Sequence, residues 1–267
     1  MKGSEGTHGA AHRQGSPATI FRAWSWLAPL IVFSFATVAL AQPSADDRSA
    51  DRDEMIRVVE LETFFLSGET GIREIDPEVL EAMREVPRHL FVPEPLRAYA
   101  YGNHPLPVGY EQNIAAPLLV ALMTHLIEPE ADDVVFETGT GAGYHAAVLS
   151  RLVGRVYSVE VVEPLAEEAG RRLKEQGYDN VFARAGDGYY GWPEHAPYDA
   201  MVIKEALDHV PPTLLAQLKR GGRMVLPLGP GGGPQELTVI TKTGNGKFSE
   251  RRIMPVRFSP LQGGERL

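Results

Sequence analysis

The sequence predicts a doubly wound α/β fold, with a mostly parallel sheet covered on both faces by helices. An antiparallel C-terminal hairpin is expected to close the sheet, and a helical extension to precede it. Three observations carry this expectation. Short β-branched runs recur at residues 133–137, 155–160, 180–184, 199–204 and 223–228, with helical patterns between them. Two further runs, 236–242 and 251–258, flank Thr243-Gly-Asn-Gly246, whose Asn-Gly pair is a tight-turn signal and brings the expected strands to seven. The first run also leads straight into a glycine-rich loop followed by an Ala- and Leu-rich segment, as a ligand loop between strand and helix requires.

In chain order, residues 1–22 are polar and rich in Gly, Ser and His. Residues 23–41 form an uncharged apolar run that follows Arg22 and ends in Ala39-Leu40-Ala41, the small-x-small pattern of a signal-peptidase site. Its length also suits a membrane-spanning helix. Residues 1–41 are therefore expected to be a signal peptide or an N-terminal membrane anchor, and 42–54 a flexible charged linker. A single domain is expected over 55–262, with 55–130 a helical, substrate-side part and 131–262 the sheet core. Export or anchoring follows from the apolar run, whereas translation from Met55 would give a cytoplasmic protein. Within the domain, 55–66 is amphipathic, Asp76-Pro77 has the form of a helix start, and 117–127 has the character of a buried helix. Val162, Leu165, Ala166, Ala169 and Leu173 fall at helical spacing, and Gly177 can cap that helix.

Composition narrows the function. The chain has 267 residues, 43% of them apolar and 23% charged, which suffices for one sizeable core. A net charge of −9 without a basic block argues against a nucleic-acid partner, whose phosphates call for clustered Lys and Arg. Cysteine is absent, which excludes disulfides, thiolate metal ligands and a cysteine nucleophile. No two histidines have ligand spacing on one element, so no metal is expected. His89, His125 and His195 fit packing or loop positions, while His104 and His209 lie near the expected crevice. The domain is expected to be monomeric.

The glycine loop is Gly139-Thr-Gly-Ala-Gly143, preceded by Glu137 and followed by Tyr144. A dinucleotide fingerprint needs Gly or Ala at the position of Tyr144, and here the third glycine falls one residue early, at Gly143. The Glu-x-Gly-x-Gly-x-Gly pattern instead resembles motif I of the class I methyltransferases. Glu160, ending the second strand, can accept hydrogen bonds from both ribose hydroxyls. Asp187, between Gly186 and Gly188 after the third strand, can accept from an adenine amino group. Three acids at the ends of three successive strands are expected to converge on one crevice. The expected S-adenosylmethionine set is Glu137, Gly139, Thr140, Gly141, Gly143, Tyr144, Glu160, Asp187 and Gly188.

Several segments together resemble the protein-L-isoaspartate (D-aspartate) O-methyltransferase family across nearly all of residues 54–262. They are Val86-Pro-Arg-His-Leu-Phe-Val-Pro93, Leu106-Pro-Val-Gly109, Val135-Phe-Glu-Thr-Gly-Thr-Gly-Ala-Gly-Tyr144, Gly186-Asp-Gly-Tyr-Tyr-Gly-Trp192 with Ala196-Pro-Tyr-Asp199, Leu218-Lys-Arg-Gly-Gly-Arg223 and Val256-Arg-Phe-Ser-Pro-Leu261. The resemblance implies a Rossmann-like, seven-stranded methyltransferase sheet. It also implies methylation of the misplaced α-carboxyl of isoaspartyl residues in damaged proteins or peptides, opening repair through a succinimide. Two segments depart from the family pattern. Where the family usually reads Gly-Gln-Thr-Ile-Ser-x-Pro, this chain reads Glu111-Gln-Asn-Ile-Ala-Ala-Pro117, so Ala115 stands at the serine position and Asn113 at the threonine. After the fourth strand, small residues and threonine give way to Lys204 and Glu205. Asn113 is expected to supply an amide donor in place of the missing hydroxyl, and Lys204 to pair with the substrate carboxylate. The residues leave open a methyltransferase with another carboxyl or small-molecule acceptor, and a cofactor-binding protein without catalysis.

Overall fold

The computed structural model describes residues 48–230 and 233–263. The expectations for the export segment, and for the linker up to residue 47, lie outside the described residues. In chain order the helices are α1 (Ser49–Phe65), α2 (Ser67–Thr70), α3 (Pro77–Glu85), α4 (Pro117–Leu126), α5 (Tyr144–Leu149), α6 (Glu163–Glu175) and α7 (Pro212–Gln217). The strands are β1 (Leu106–Gly109), β2 (Gln112–Ile114), β3 (Val134–Thr138), β4 (Arg155–Glu160), β5 (Val181–Ala185), β6 (Tyr198–Val202), β7 (Leu218–Leu228), β8 (Gln235–Lys242) and β9 (Phe248–Val256).

Strands β3 to β9 make the main sheet in the order β5-β4-β3-β6-β7-β8-β9. Pairing is parallel from β5 through β7 and antiparallel from β7 to β8 and from β8 to β9. The chain thus winds outward from β3 to β5 and then crosses back to β6 on the other side of β3. The loops leaving β3 and β6 diverge at that reversal, where open α/β sheets bind ligands.

Side-chain alternation builds a core on each sheet face. Val135, Val156, Ala200, Val202 and Val225 point into one cluster with the buried faces of α1, α3, α4 and α5. Phe136, Tyr157, Met201, Met224 and Leu226, one residue out of phase, point into the other. In α6, Leu165, Ala166, Ala169 and Leu173 are the buried residues, at the spacing a single helical face requires. The helix start at Asp76 forms as expected: its carboxylate accepts from the Glu78 N–H at 2.8 Å and Pro77 opens α3.

Three elements differ most from the sequence reading. Helix α1 begins at Ser49, inside the segment expected to be linker. Its charged first turns are held from outside by ion pairs, Arg48 with Asp51 and Arg84 with Asp53 at 2.9 Å. Strand β7 begins at Leu218, ahead of the expected 223, and an irregularity between Tyr198 and Ala200 absorbs the extra residues. A small antiparallel pair, β1 with β2, forms where no strand was expected. Among the described residues, no helix is long and apolar enough to cross a membrane.

Candidate active site

A cavity of about 250 Å³ opens at the β3/β6 reversal. One wall is the glycine loop with Glu160, Lys204 and Glu205; the other is residues 111–116 with Arg257, Phe258 and Ser259. A smaller cavity adjoins it, lined by Gln112, Glu160, Gly188, Glu205 and residues 259–262.

The loop turns sharply because Gly139, Gly141 and Gly143 all have positive φ, at 63°, 56° and 94°. At Gly139 a side chain is excluded twice over, since a Cβ would also collide with Glu205 Oε1. The loop is fastened to β4 and to itself. The Gly139 N–H donates to Val159 O at 2.8 Å, the Gly143 N–H to Thr140 O at 2.8 Å, and the Gly141 N–H to Glu160 Oε2 at 2.8 Å.

Glu137 is fully buried and both its oxygens are taken, by Lys204 Nζ at 2.6 Å and by the Ser158 hydroxyl at 2.5 Å. Thr140 Oγ1 lies 2.6 Å from Ser158 Oγ and extends the chain into the loop. Burial raises the Glu137 pKa, while Lys204 and Ser158 pull it back. Glu137 and Thr140 therefore brace the loop from below. Lys204 borders the cavity, but its ammonium is committed to Glu137 rather than held out for a substrate carboxylate. Sequence could not reveal that pairing, because the partners lie 67 residues apart.

Glu160 is nearly buried and its oxygens receive two backbone donors, Gly141 N–H and Val162 N–H, the latter at 3.1 Å. An ionised carboxylate has about four acceptor positions, so about two remain for a ribose diol. Asp187 accepts from the Tyr189 N–H at 2.9 Å and caps a short 3₁₀ turn. Gly263 lies so close to the Asp187 carboxylate that a Cβ there would collide with it. Asp187 itself does not border either cavity, and its neighbour Gly188, packed against Thr138, borders the smaller one. Tyr144 borders the main cavity but is otherwise a core residue. Its ring lies under the Arg88 guanidinium, 4.8 Å from centroid to Cζ, and edge-on to Phe91 at 5.7 Å. Burial drives the Tyr144 hydroxyl pKa up.

On the opposite wall, Asn113 is exposed on β2, paired with Pro107 of β1. Ala115 is half-buried at the cavity edge. The hairpin turns through Tyr110 and Glu111, both non-glycine residues at positive φ, 51° and 59°. Left-handed backbone at such residues is strained, and such strain persists only where the surroundings hold it. One restraint is the Tyr110 hydroxyl, which donates to Glu168 Oε1 at 3.1 Å. A second is Arg88, wholly buried, whose guanidinium donates to Ala100 O and to Ala115 O, each at 2.8 Å. Burial pushes the Arg88 pKa down to about 10, leaving it charged at neutral pH. Sequence reasoning assigned no role to Arg88, Ser158 or Arg257. Arg88 and Arg257 lie inside family-like segments, which was the available signal, whereas Ser158 gave none.

His89 and His195 take packing positions. His89 Nδ1 lies 2.7 Å from the Tyr101 hydroxyl, and His195 stacks on Tyr157 with centroids 4.0 Å apart. His104 and His209 border neither cavity. His145 does border the main one; its Nε2 meets the Thr124 hydroxyl at 2.9 Å, and burial keeps the ring neutral. Among the described residues, no three His, Asp or Glu side chains are grouped to hold a metal.

The chain's relatives agree with this architecture. Residues 69–266 match the family model for protein-L-isoaspartate(D-aspartate) O-methyltransferase. Protein-L-isoaspartate O-methyltransferase 2 of Syntrophobacter fumaroxidans is 47% identical over 88% of this chain and 95% of its own length. Protein-L-isoaspartate O-methyltransferase 1 of Cupriavidus necator is 47% identical over 88% of this chain and 93% of its own. A solved protein-L-isoaspartate O-methyltransferase superposes with a TM-score of 0.69 at 30% identity, covering 79% of this chain and 66% of that one. A Plasmodium falciparum structure described as an enzyme of this kind in complex with S-adenosyl-L-homocysteine shares the fold, with a TM-score of 0.63 at 18% identity over 80% of this chain and 97% of that one. The chain belongs to the protein-L-isoaspartate (D-aspartate) O-methyltransferase family, whose enzymes depend on S-adenosylmethionine.

Proposed function

We propose that this chain transfers a methyl group from S-adenosylmethionine to the free α-carboxylate of L-isoaspartyl and D-aspartyl residues in damaged proteins or peptides. The supporting observation is one crevice that joins the glycine loop and Glu160 on one side to residues 111–116 and Arg257 on the other. The acceptor carboxylate has a reference pKa of about 4 and is ionised at neutral pH, so no general base is needed to create the nucleophile. The bound donor supplies an electrophilic methyl group on a positively charged sulfur. What the chain contributes is position and exclusion of water, which together can supply a large part of the rate.

Glu160 is the ribose acceptor in this reading, and Gly139 and Gly141 let the backbone approach the donor. Asn113 supplies an amide hydrogen bond beside the acceptor, where Ala115 has none to give. Arg257 takes the part first expected of Lys204. It is exposed at the cavity mouth, has no ion pair among the described residues, and can meet the acceptor carboxylate. The methyl at Ala115 favours one alternative, a different carboxyl acceptor. Mass spectrometry of an isoaspartyl peptide incubated with the protein and S-adenosylmethionine separates the two. Conversion through the dehydrated succinimide to the normal aspartyl peptide is expected, and a peptide left unchanged would refute the repair reading.

We read residues 1–41 as an export signal or anchor and the catalytic domain as a monomer. Initiation at Met55 would remove the first turns of α1, in which Met55 itself is buried. N-terminal sequencing of native protein should find Gln42 if the signal is cleaved, and sizing of the domain should give one copy.

A further inference from the structure

Three carboxylates converge beneath and beside the glycine loop: Glu137 near the end of β3, Glu160 ending β4, and Glu205 just after β6. One cation stands among them, Lys204, and it is bound to Glu137. Glu160 is satisfied by backbone N–H groups. Glu205 has no ion pair among the described residues. One of its oxygens accepts the Thr138 hydroxyl, and the other lies over Gly139 where a side chain would otherwise stand. It borders both cavities. This corner therefore holds three carboxylates and one cation, and among the described residues Glu205 is the one with neither an ion pair nor a backbone donor, at the edge of the donor crevice.

We propose that Glu205 selects donor over product, its carboxylate favouring the charged sulfonium of S-adenosylmethionine over the neutral thioether of S-adenosylhomocysteine. The inference rests on the donor assignment above. The two ligands share the adenosine and amino-acid parts and differ by a methyl group and one positive charge at sulfur. Contacts with the shared parts cannot separate them, and a nearby charge can. In a partly desolvated cavity such a charge is worth about tenfold or more in relative affinity. Selection of this kind relieves inhibition by the product that every turnover leaves in the site.

The surroundings make the effect depend on pH. Burial holds the Glu205 carboxyl up to about 7, helped by Glu160 and Glu137 and opposed by the Thr138 hydroxyl and Lys204. Arg257 faces the same cavity from the C-terminal segment. Below pH 7 the free protein holds the Glu205 proton, and arrival of a cationic ligand expels it.

The test is calorimetric binding of both ligands to the full chain and to Glu205→Gln, at pH 6.5 in two buffers of different ionisation enthalpy. The wild type is expected to release more protons on binding S-adenosylmethionine than S-adenosylhomocysteine, and its preference for the donor should fall about tenfold in Glu205→Gln. Glu205→Asp should keep part of the preference. Equal proton release for both ligands in the wild type overturns the proposal without any variant, as does an unchanged preference in a folded Glu205→Gln protein. If the wild type binds neither ligand, the donor assignment fails and this inference with it.

Discussion

The two walls of the crevice, the glycine loop proposed to hold the donor and the hairpin proposed to hold the acceptor, are built by different means. On the donor side, the loop after β3 bonds to the neighbouring strand and to itself, and its supporting carboxylates are buried with partners. Two of the three loop bonds run to β4, through Val159 O and the Glu160 carboxylate. On the acceptor side, two short strands turn through two strained residues, and the tail at 257–259 is solvent-facing or half-buried. That wall is tied back to the core by Arg88, through the Ala115 carbonyl. Departures from the family pattern fall at Asn113 and Ala115 on this second wall, and at Lys204 and Glu205 on the rim between the two.

Substitutions should separate the walls. Glu160→Ala removes charge-assisted bonds to the donor and to Gly141, each worth about 1.5–3 kcal/mol. Donor affinity measured by calorimetry should fall about a hundredfold. Arg88→Met leaves the Ala100 and Ala115 carbonyls without their buried donor. The expected result is a peptide KM raised about tenfold with donor affinity within about twofold of wild type, and a melting temperature lowered by about 5–10 °C. Arg257→Ala, at the surface of the acceptor wall, should raise the peptide KM about fivefold and leave both donor affinity and melting temperature unchanged.

The smallest effect concerns stability and pH. A free glutamate releases its proton near 4.5, whereas burial holds that of Glu205 to about 7. Between those values the folded state binds more protons than the unfolded chain, so stability falls as pH rises through that window. Melting curves of the ligand-free protein at pH 5 and pH 7.5 should show Glu205→Gln losing about 2–4 °C less than wild type over this interval.

The fold was legible where its signal was local. The sheet strands announced themselves through β-branched runs, and the Asn-Gly turn marked the terminal hairpin. The start of α1 was hidden because its first turns are charged and are held by Arg84 of another helix. The β1–β2 pair was hidden because its turn uses Tyr110 and Glu111 instead of the glycine or asparagine that positive φ normally selects. Glu160 does line the cavity, as its place at a strand end suggested. Lys204 is bound to the buried Glu137, a partner 67 residues away that the sequence around the lysine does not signal. Asp187 sits where expected in the chain, but the returning Gly263 crowds it and its carboxylate caps a turn. These are tertiary facts, set by segments far apart in sequence.

One assay addresses the acceptor wall directly. The purified protein is given methyl-labelled S-adenosylmethionine and two peptides identical except for one residue, isoaspartate in the first and aspartate in the second. Label is expected in the isoaspartyl peptide as a base-labile ester, with the aspartyl peptide near background. Equal labelling of the two, or none in either while the donor still binds, would contradict the assignment of an isoaspartyl carboxylate to this site.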